Sequence, residues 1–152
     1  MIRLATVPES DAVRDLVHAA YRHYIPRIGK PPGPMLDNYA QRISDGQVWL
    51  LEDAAGLAGI LVLEDGPDGL MVDNIAVDPA RRGTGCGKAL MVFAEAEAGR
   101  RGHRRLRLYT HVLMTENRAL YRRIGFRESG RVTEKGFDRV YMVKDITYPD
   151  GR

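Results

Sequence analysis

Apolar positions along this chain follow two periods, and the change from one to the other divides it. Val13, Leu16, Val17 and Ala20 recur at helical spacing, and Pro8, Glu9, Ser10 and Asp11 just before them form a helix start. The pattern predicts a short strand over 2–6 and an amphipathic helix up to about Tyr24. The next ten residues, IPRIGKPPGP (25–34), hold four prolines and two glycines and predict an irregular connection, either a plain linker or a lip over a binding site. Met35, Leu36, Tyr39 and Ile43 predict a second helix over about 35–45.

From Gln47 the apolar residues crowd into short runs. QVWLLED, LAGILVLED and GLMVDNIAV are joined at 53–56 and 66–69 by turn residues, which predicts an antiparallel meander. Leu90, Met91, Ala94 and Ala98 return to helical spacing over about 85–101, with Gly99 and Gly102 closing the helix. RLRLYTHV alternates cleanly as a strand, a short helix over about 116–123 ends at Gly125, and two last strands surround a tip at 134–136. The order β-α-α-β-β-β-α-β-α-β-β predicts a mixed α/β (α+β) domain, with a mostly antiparallel central sheet flanked by helices.

Length and charge narrow the classes. The 152 residues suit a single domain over 1–152, and the net charge of +3 suits a phosphate-rich small ligand as well as it suits nucleic acid. One cysteine, Cys86, excludes an intrachain disulfide. The sequence has no signal-like start and no apolar run long enough to span a bilayer, so a cytoplasmic location is expected, with no membrane partner and no metal. The basic run RRGHRR (100–105), with Arg122 and Arg123, lacks interleaved aromatics. It reads mainly as a solvated face, part of which could meet a ligand phosphate, and nucleic acid is not the expected partner.

The chemistry concentrates in RRGTGCGKAL (81–90), where Gly83, Gly85 and Gly87 alternate ahead of Lys88 between a strand and a helix. A Walker A loop needs glycine where Arg82 stands and Ser or Thr where Ala89 stands. A dinucleotide fingerprint needs its third glycine where Lys88 or Leu90 stands, and the hairpin-like strands argue against its βαβ unit. Free N–H groups at a helix start, the helix dipole and Arg81, Arg82 and Lys88 still favour a pyrophosphate.

The stretch DNIAVDPARRGTGCGKAL resembles the hallmark segment of the GNAT superfamily of N-acetyltransferases, with Arg82-Gly83-Thr84-Gly85-Cys86-Gly87 on the Gln/Arg-x-x-Gly-x-Gly/Ala signature. LYTHVLMTENRALYRRIGF (108–126) resembles the family's later strand–helix segment. The resemblance implies a GNAT-like fold and transfer of an acetyl group from acetyl-CoA to an amine by direct attack. The alternative is a CoA-binding sensor or scaffold without turnover.

Carried onto this chain, the resemblance implies that the cofactor's pantetheine arm runs along Asn74, Ile75, Ala76 and Val77, pairing with the backbone of Ile75 and Val77. It implies that the amides of Arg82, Gly83, Thr84, Gly85, Cys86, Gly87 and Lys88 hold the pyrophosphate, aided by the Thr84 hydroxyl. Tyr121 matches the tyrosine that protonates the leaving thiolate. Relatives carry an asparagine where this chain has Met114; Asn117, one turn before Tyr121, either takes over that cofactor contact or caps the helix. Asp73 is the expected general base, placed by alternation on one face with Met71 and Ile75, although relatives with an acid on this strand carry it at the position of Met71. Tyr109 and His111 share a face of the next strand and could line the acceptor site. Cys86 has no paired base and reads as a small loop residue rather than a nucleophile. Acceptor determinants are expected in the first helix, the 25–34 loop and the 134–139 tip, and an exposed sheet edge would allow a homodimer.

Overall fold

Seven strands form one sheet in the order β1-β2-β3-β4-β5-β7-β6 in a computed structural model that describes residues 1–147. The last five residues of the expected domain lie outside the described residues. The strands are β1 (Ile2–Leu4), β2 (Val48–Asp53), β3 (Gly56–Gly66), β4 (Gly69–Val77), β5 (Arg105–His111), β6 (Arg127–Glu134) and β7 (Phe137–Asp145). The helices are α1 (Ser10–Tyr21), α2 (Ile25–Ile28), α3 (Tyr39–Ser44), α4 (Cys86–Arg100) and α5 (Thr115–Arg123). Every pairing is antiparallel except that of β4 with β5.

The two helical patterns bury the faces that the spacing predicts. Val13, Leu16, Val17, Ala20 and Tyr21 of α1 pack on one face of the sheet with α3, and Leu90, Met91, Ala94 and Ala98 of α4 pack on the other. Thr6 and Glu9 form the capping box that starts the chain's first helical turns. At the far end of α4 the terminator is Gly102 alone, in the left-handed region at φ 77°, while Gly99 lies inside the helix. The Gly102 amide donates to the Gly99 carbonyl and the His103 amide to the Ala98 carbonyl, which closes the helix in a Schellman motif.

Two expectations are corrected. The 25–34 segment is not wholly irregular: Ile25–Ile28 forms a single helical turn, because Pro26 falls at its start, where no N–H is needed, and Gly29 closes it at φ 90°. The segment from β4 through α4 to β5 is a parallel βαβ crossover, which the hairpin-like reading of these strands argued against. β4 belongs to the antiparallel meander on its other side, and that pairing dominates its sequence pattern.

The crossover is incomplete, and this positions the site. β4 pairs with β5 only at Leu70–Leu106, Met71–Arg107 and Val72–Leu108. At that point β4 carries a β-bulge: Val72 pairs with Leu63 and Asn74 with Val62, so Asp73 is the extra residue. A bulge bends and twists its strand. Beyond it β4 leaves β5, and a gap opens between them.

Candidate active site

The bulge also turns the residues that follow. Ile75 and Val77 pack with Leu61, Val72 and Leu90 on the α4 face, whereas Asn74 and Ala76 face α1. Asp73 therefore does not share a face with Ile75, as simple alternation would have it; its carboxylate meets Arg42 of α3. The Asp78 amide donates to the Ala58 carbonyl of β3 at 2.8 Å. By strand alternation the backbone groups of Ile75 and Val77 point away from β3, into the gap.

A cleft of about 680 Å³ occupies this gap and runs to the start of α4. Gly83 and Gly85 adopt φ of 78° and 88°, a left-handed backbone that side chains with a Cβ avoid. Gly87 is helical; a Cβ there would enter the cleft wall 3.8 Å from Val77 Cγ2. The Ala89 amide makes the first α4 hydrogen bond, to the Gly85 carbonyl, so the amides of Cys86, Gly87 and Lys88 have no partner within the helix. Arg82 Nη2 donates to the Ala20 carbonyl at 3.2 Å and ties the loop to α1. Arg81 is ion-paired with Asp53 and Asp78 at 2.7 and 2.5 Å, so it braces the loop. A strand edge with free backbone groups leading to a glycine-lined helix start fits an extended chain that ends in a pyrophosphate.

A second, narrower cavity of about 40 Å³ lies between the diverging ends of β4 and β5, roofed by Pro32, Gly33 and Pro34. It meets the cleft at Tyr21, Ile75, Asn117 and Tyr121, which line both. The Tyr21 hydroxyl donates to Asn74 Oδ1 at 2.8 Å and lies 3.1 Å from the Ile75 carbonyl. Tyr121 is buried, which pushes its phenol pKa upward, and its hydroxyl has no hydrogen-bond partner among the described residues. Asp73 lines the narrow cavity; burial and the neighbouring Glu64 carboxylate push its pKa up to about 7, against the pull of Arg42.

A family model described as "Acetyltransferase (GNAT) domain" matches residues 44–128, more than half of the chain. The chain belongs to the GNAT acetyltransferase family. It is an acyltransferase whose acetyl donor is acetyl-CoA. Nourseothricin acetyltransferase is 30% identical over 65% of this chain and 64% of its own length, with a TM-score of 0.60. The ribosomal-protein-S18-alanine N-acetyltransferase from Escherichia coli shares the fold at 21% identity and a TM-score of 0.76, covering 97% of this chain and 94% of that one. The PaiA N-acetyltransferase from Thermoplasma acidophilum, solved with coenzyme A, aligns at 17% identity and a TM-score of 0.77 over 95% and 98% of the two chains. No curated protein sequence matches.

Within this GNAT domain the cleft gathers Ile75, Ala76, Val77, Arg82, Gly83, Gly85, Cys86, Gly87, Lys88, Asn117 and Tyr121 from the expected cofactor set. Two expected members stand apart. Thr84 does not line the cleft, and its hydroxyl donates to the Arg81 carbonyl at 2.5 Å. The Asn74 side chain is turned to Tyr21 and Tyr39 on the α1 face. Asn117 caps nothing: Met114 holds the N-cap position of α5, and the Asn117 amide reaches the Met114 sulfur at 3.7 Å. The basic run at 100–105 lies at the far end of α4, about 22 Å from the glycine loop at 1.5 Å per residue over its 15 residues. Arg100, Arg101 and His103 pair there with Glu97 and Asp65, so none of them serves the cleft.

Tyr109 and His111 both line the narrow cavity. His111 Nδ1 accepts the Leu113 amide at 3.1 Å, and burial pulls its pKa down. Arg42 and Glu64, which set the state of Asp73, carried no sequence signal. Both sit among ordinary surface charges until the sheet and α3 bring them together. Among the described residues no helix is long and apolar enough to cross a membrane, and no cluster of metal-ligating side chains occurs.

Proposed function

We propose that the protein transfers the acetyl group of acetyl-CoA to an amine by direct attack. The observation that carries this reading is the junction at Tyr21, Ile75, Asn117 and Tyr121, where a cleft suited to the cofactor meets a cavity holding Asp73. Bound acetyl-CoA supplies the thioester carbonyl that the amine attacks and the thiolate that leaves. The amides of Cys86, Gly87 and Lys88 hold the pyrophosphate, and the outward backbone of Ile75 and Val77 pairs with the pantetheine arm. The Ile75 N–H is in position to polarise the carbonyl.

An alkylammonium with a pKa of about 10 must lose a proton before it attacks. Asp73, with a pKa near neutrality, accepts that proton, directly or through water. Tyr121 stays protonated because its buried phenolate is disfavoured, so its hydroxyl has a proton to give the leaving sulfur. A reducing cytoplasm suits a chain with one cysteine. The exposed edge strand β6 is the expected dimer edge.

Calorimetry with acetyl-CoA followed by thiol release over an amine panel tests the reading. Binding at sub-millimolar concentration with thiol release on at least one amine is expected. Absence of binding sinks the whole reading, and binding without release on any amine leaves a non-catalytic CoA module.

A further inference from the structure

Arg139 of β7 is 9% exposed and, among the side chains lining the acceptor cavity, is the one with a permanent positive charge. It stands opposite His111 in the β5–β7 ladder. Its guanidinium lies over the Tyr109 ring at 4.3 Å and 5.7 Å from the Phe137 centroid, so aromatic faces fix its plane. Nη1 donates to Glu134 Oε1 at 2.9 Å, an oxygen that also accepts from the Tyr141 hydroxyl. Nε and Nη2 hydrogen-bond no described residue. Gly33, in the cavity roof, leaves room beside Nη2: a Cβ there would stand 3.1 Å from it.

We infer that the acceptor is a small amino acid, whose carboxylate is received by Arg139 while its amine faces Asp73. This rests on the N-acetyltransfer reading above. A buried guanidinium with unused donors favours a planar anion that can take two of them at once. Glu134 does not supply this, because it engages a single nitrogen from the rim. The charge balance of the cavity points the same way. Asp73 is its one carboxylate and Arg139 its one guanidinium, which matches a ligand with one charge of each sign. A polyamine or a multiply cationic antibiotic would set several ammonium groups against Arg139. The small volume under Pro32, Gly33 and Pro34 favours a compact acceptor.

The test is thiol release with acetyl-CoA over matched pairs: amino acids of different chain length, each beside the amine that lacks its carboxylate. At least one amino acid should exceed its partner about tenfold or more in kcat/KM. In Arg139→Gln that ratio should fall toward one through loss on the amino acid alone, with acetyl-CoA affinity and thermal unfolding unchanged. Should Arg139→Gln fail to fold, Gly33→Ala crowds Nη2 without removing the charge and should also reduce the ratio. Equal or better turnover of the carboxylate-free amines throughout, or an unchanged ratio in a folded variant, overturns the inference and leaves N-acetyltransfer standing. Release from neither set overturns both.

Discussion

Arg42 Nη1 stands 3.1 Å from Asp73 Oδ2 and 3.2 Å from Glu64 Oε2, so one guanidinium nitrogen arbitrates between two carboxylates. Asp73 is the more buried of the two, with a side chain 10% exposed against 49% for Glu64. Burial therefore leaves the charge on Glu64 first, and Asp73 titrates near pH 7. As the proton acceptor it must be ionised, so kcat/KM should rise through about pH 7 and level off above it. Asp73→Asn should lower the plateau about 100-fold and remove this limb, as read from the pH–rate profile.

Arg42→Met tests the arbitration. The positive charge holds the Asp73 pKa down, so its loss raises that pKa and moves the acidic limb to higher pH. The plateau well above the limb should stay within a few-fold of wild type, since Arg42 touches neither cavity. A limb that does not move would show that Asp73 is not the titrating group.

Tyr121→Phe should reduce kcat about 10- to 100-fold, with acetyl-CoA affinity by calorimetry within about threefold. The Tyr121 hydroxyl makes no hydrogen bond with described residues, so its loss orphans nothing and the fold should persist.

The glycines separate binding from stability. Gly87→Val projects a side chain into the cleft beside Val77 from a backbone that tolerates it, so acetyl-CoA affinity should fall at least tenfold with little change in Tm. Gly85→Val forces a β-branched residue to φ 88° at the N-cap of α4, which should cost about 1–2 kcal/mol and lower Tm.

Elements with their own periodic pattern were legible from the sequence: α1, α4 and the β2–β3–β4 meander each bury what their spacing assigns. The glycine loop was legible because alternate glycines need backbone freedom. The bulge at Asp73 was not, since β4 is covered on both faces and one inserted residue leaves its apolar pattern unbroken. The parallel partner of β4 was hidden for the same reason. Arg42 acquires its role only when α3 meets the sheet, and Arg139, at the end of the tip expected to carry acceptor determinants, only when β7 pairs with β5; no local spacing announces a contact between segments so far apart. Pro26 and Pro31 masked the helical turn at Ile25–Ile28, because prolines mark helix starts as well as loops.

An extra residue in β4 also sets how this domain tolerates changes in chain length. Asp73→Asn removes a charge, but deletion of codon 73 would erase the offset between Val72 and Asn74 and put β4 back into simple register with β3. The pairings from Asn74–Val62 to Val77–Gly59 and the faces of Ile75, Ala76 and Val77 would be kept, but the bend that the bulge puts into β4 would be lost, and β4 would be free to zip along β5 past Leu108. The deletion would close the fork that both cavities occupy, so the two lesions differ in kind. Substitution silences the site, whereas loss of the bulge leaves no site to silence.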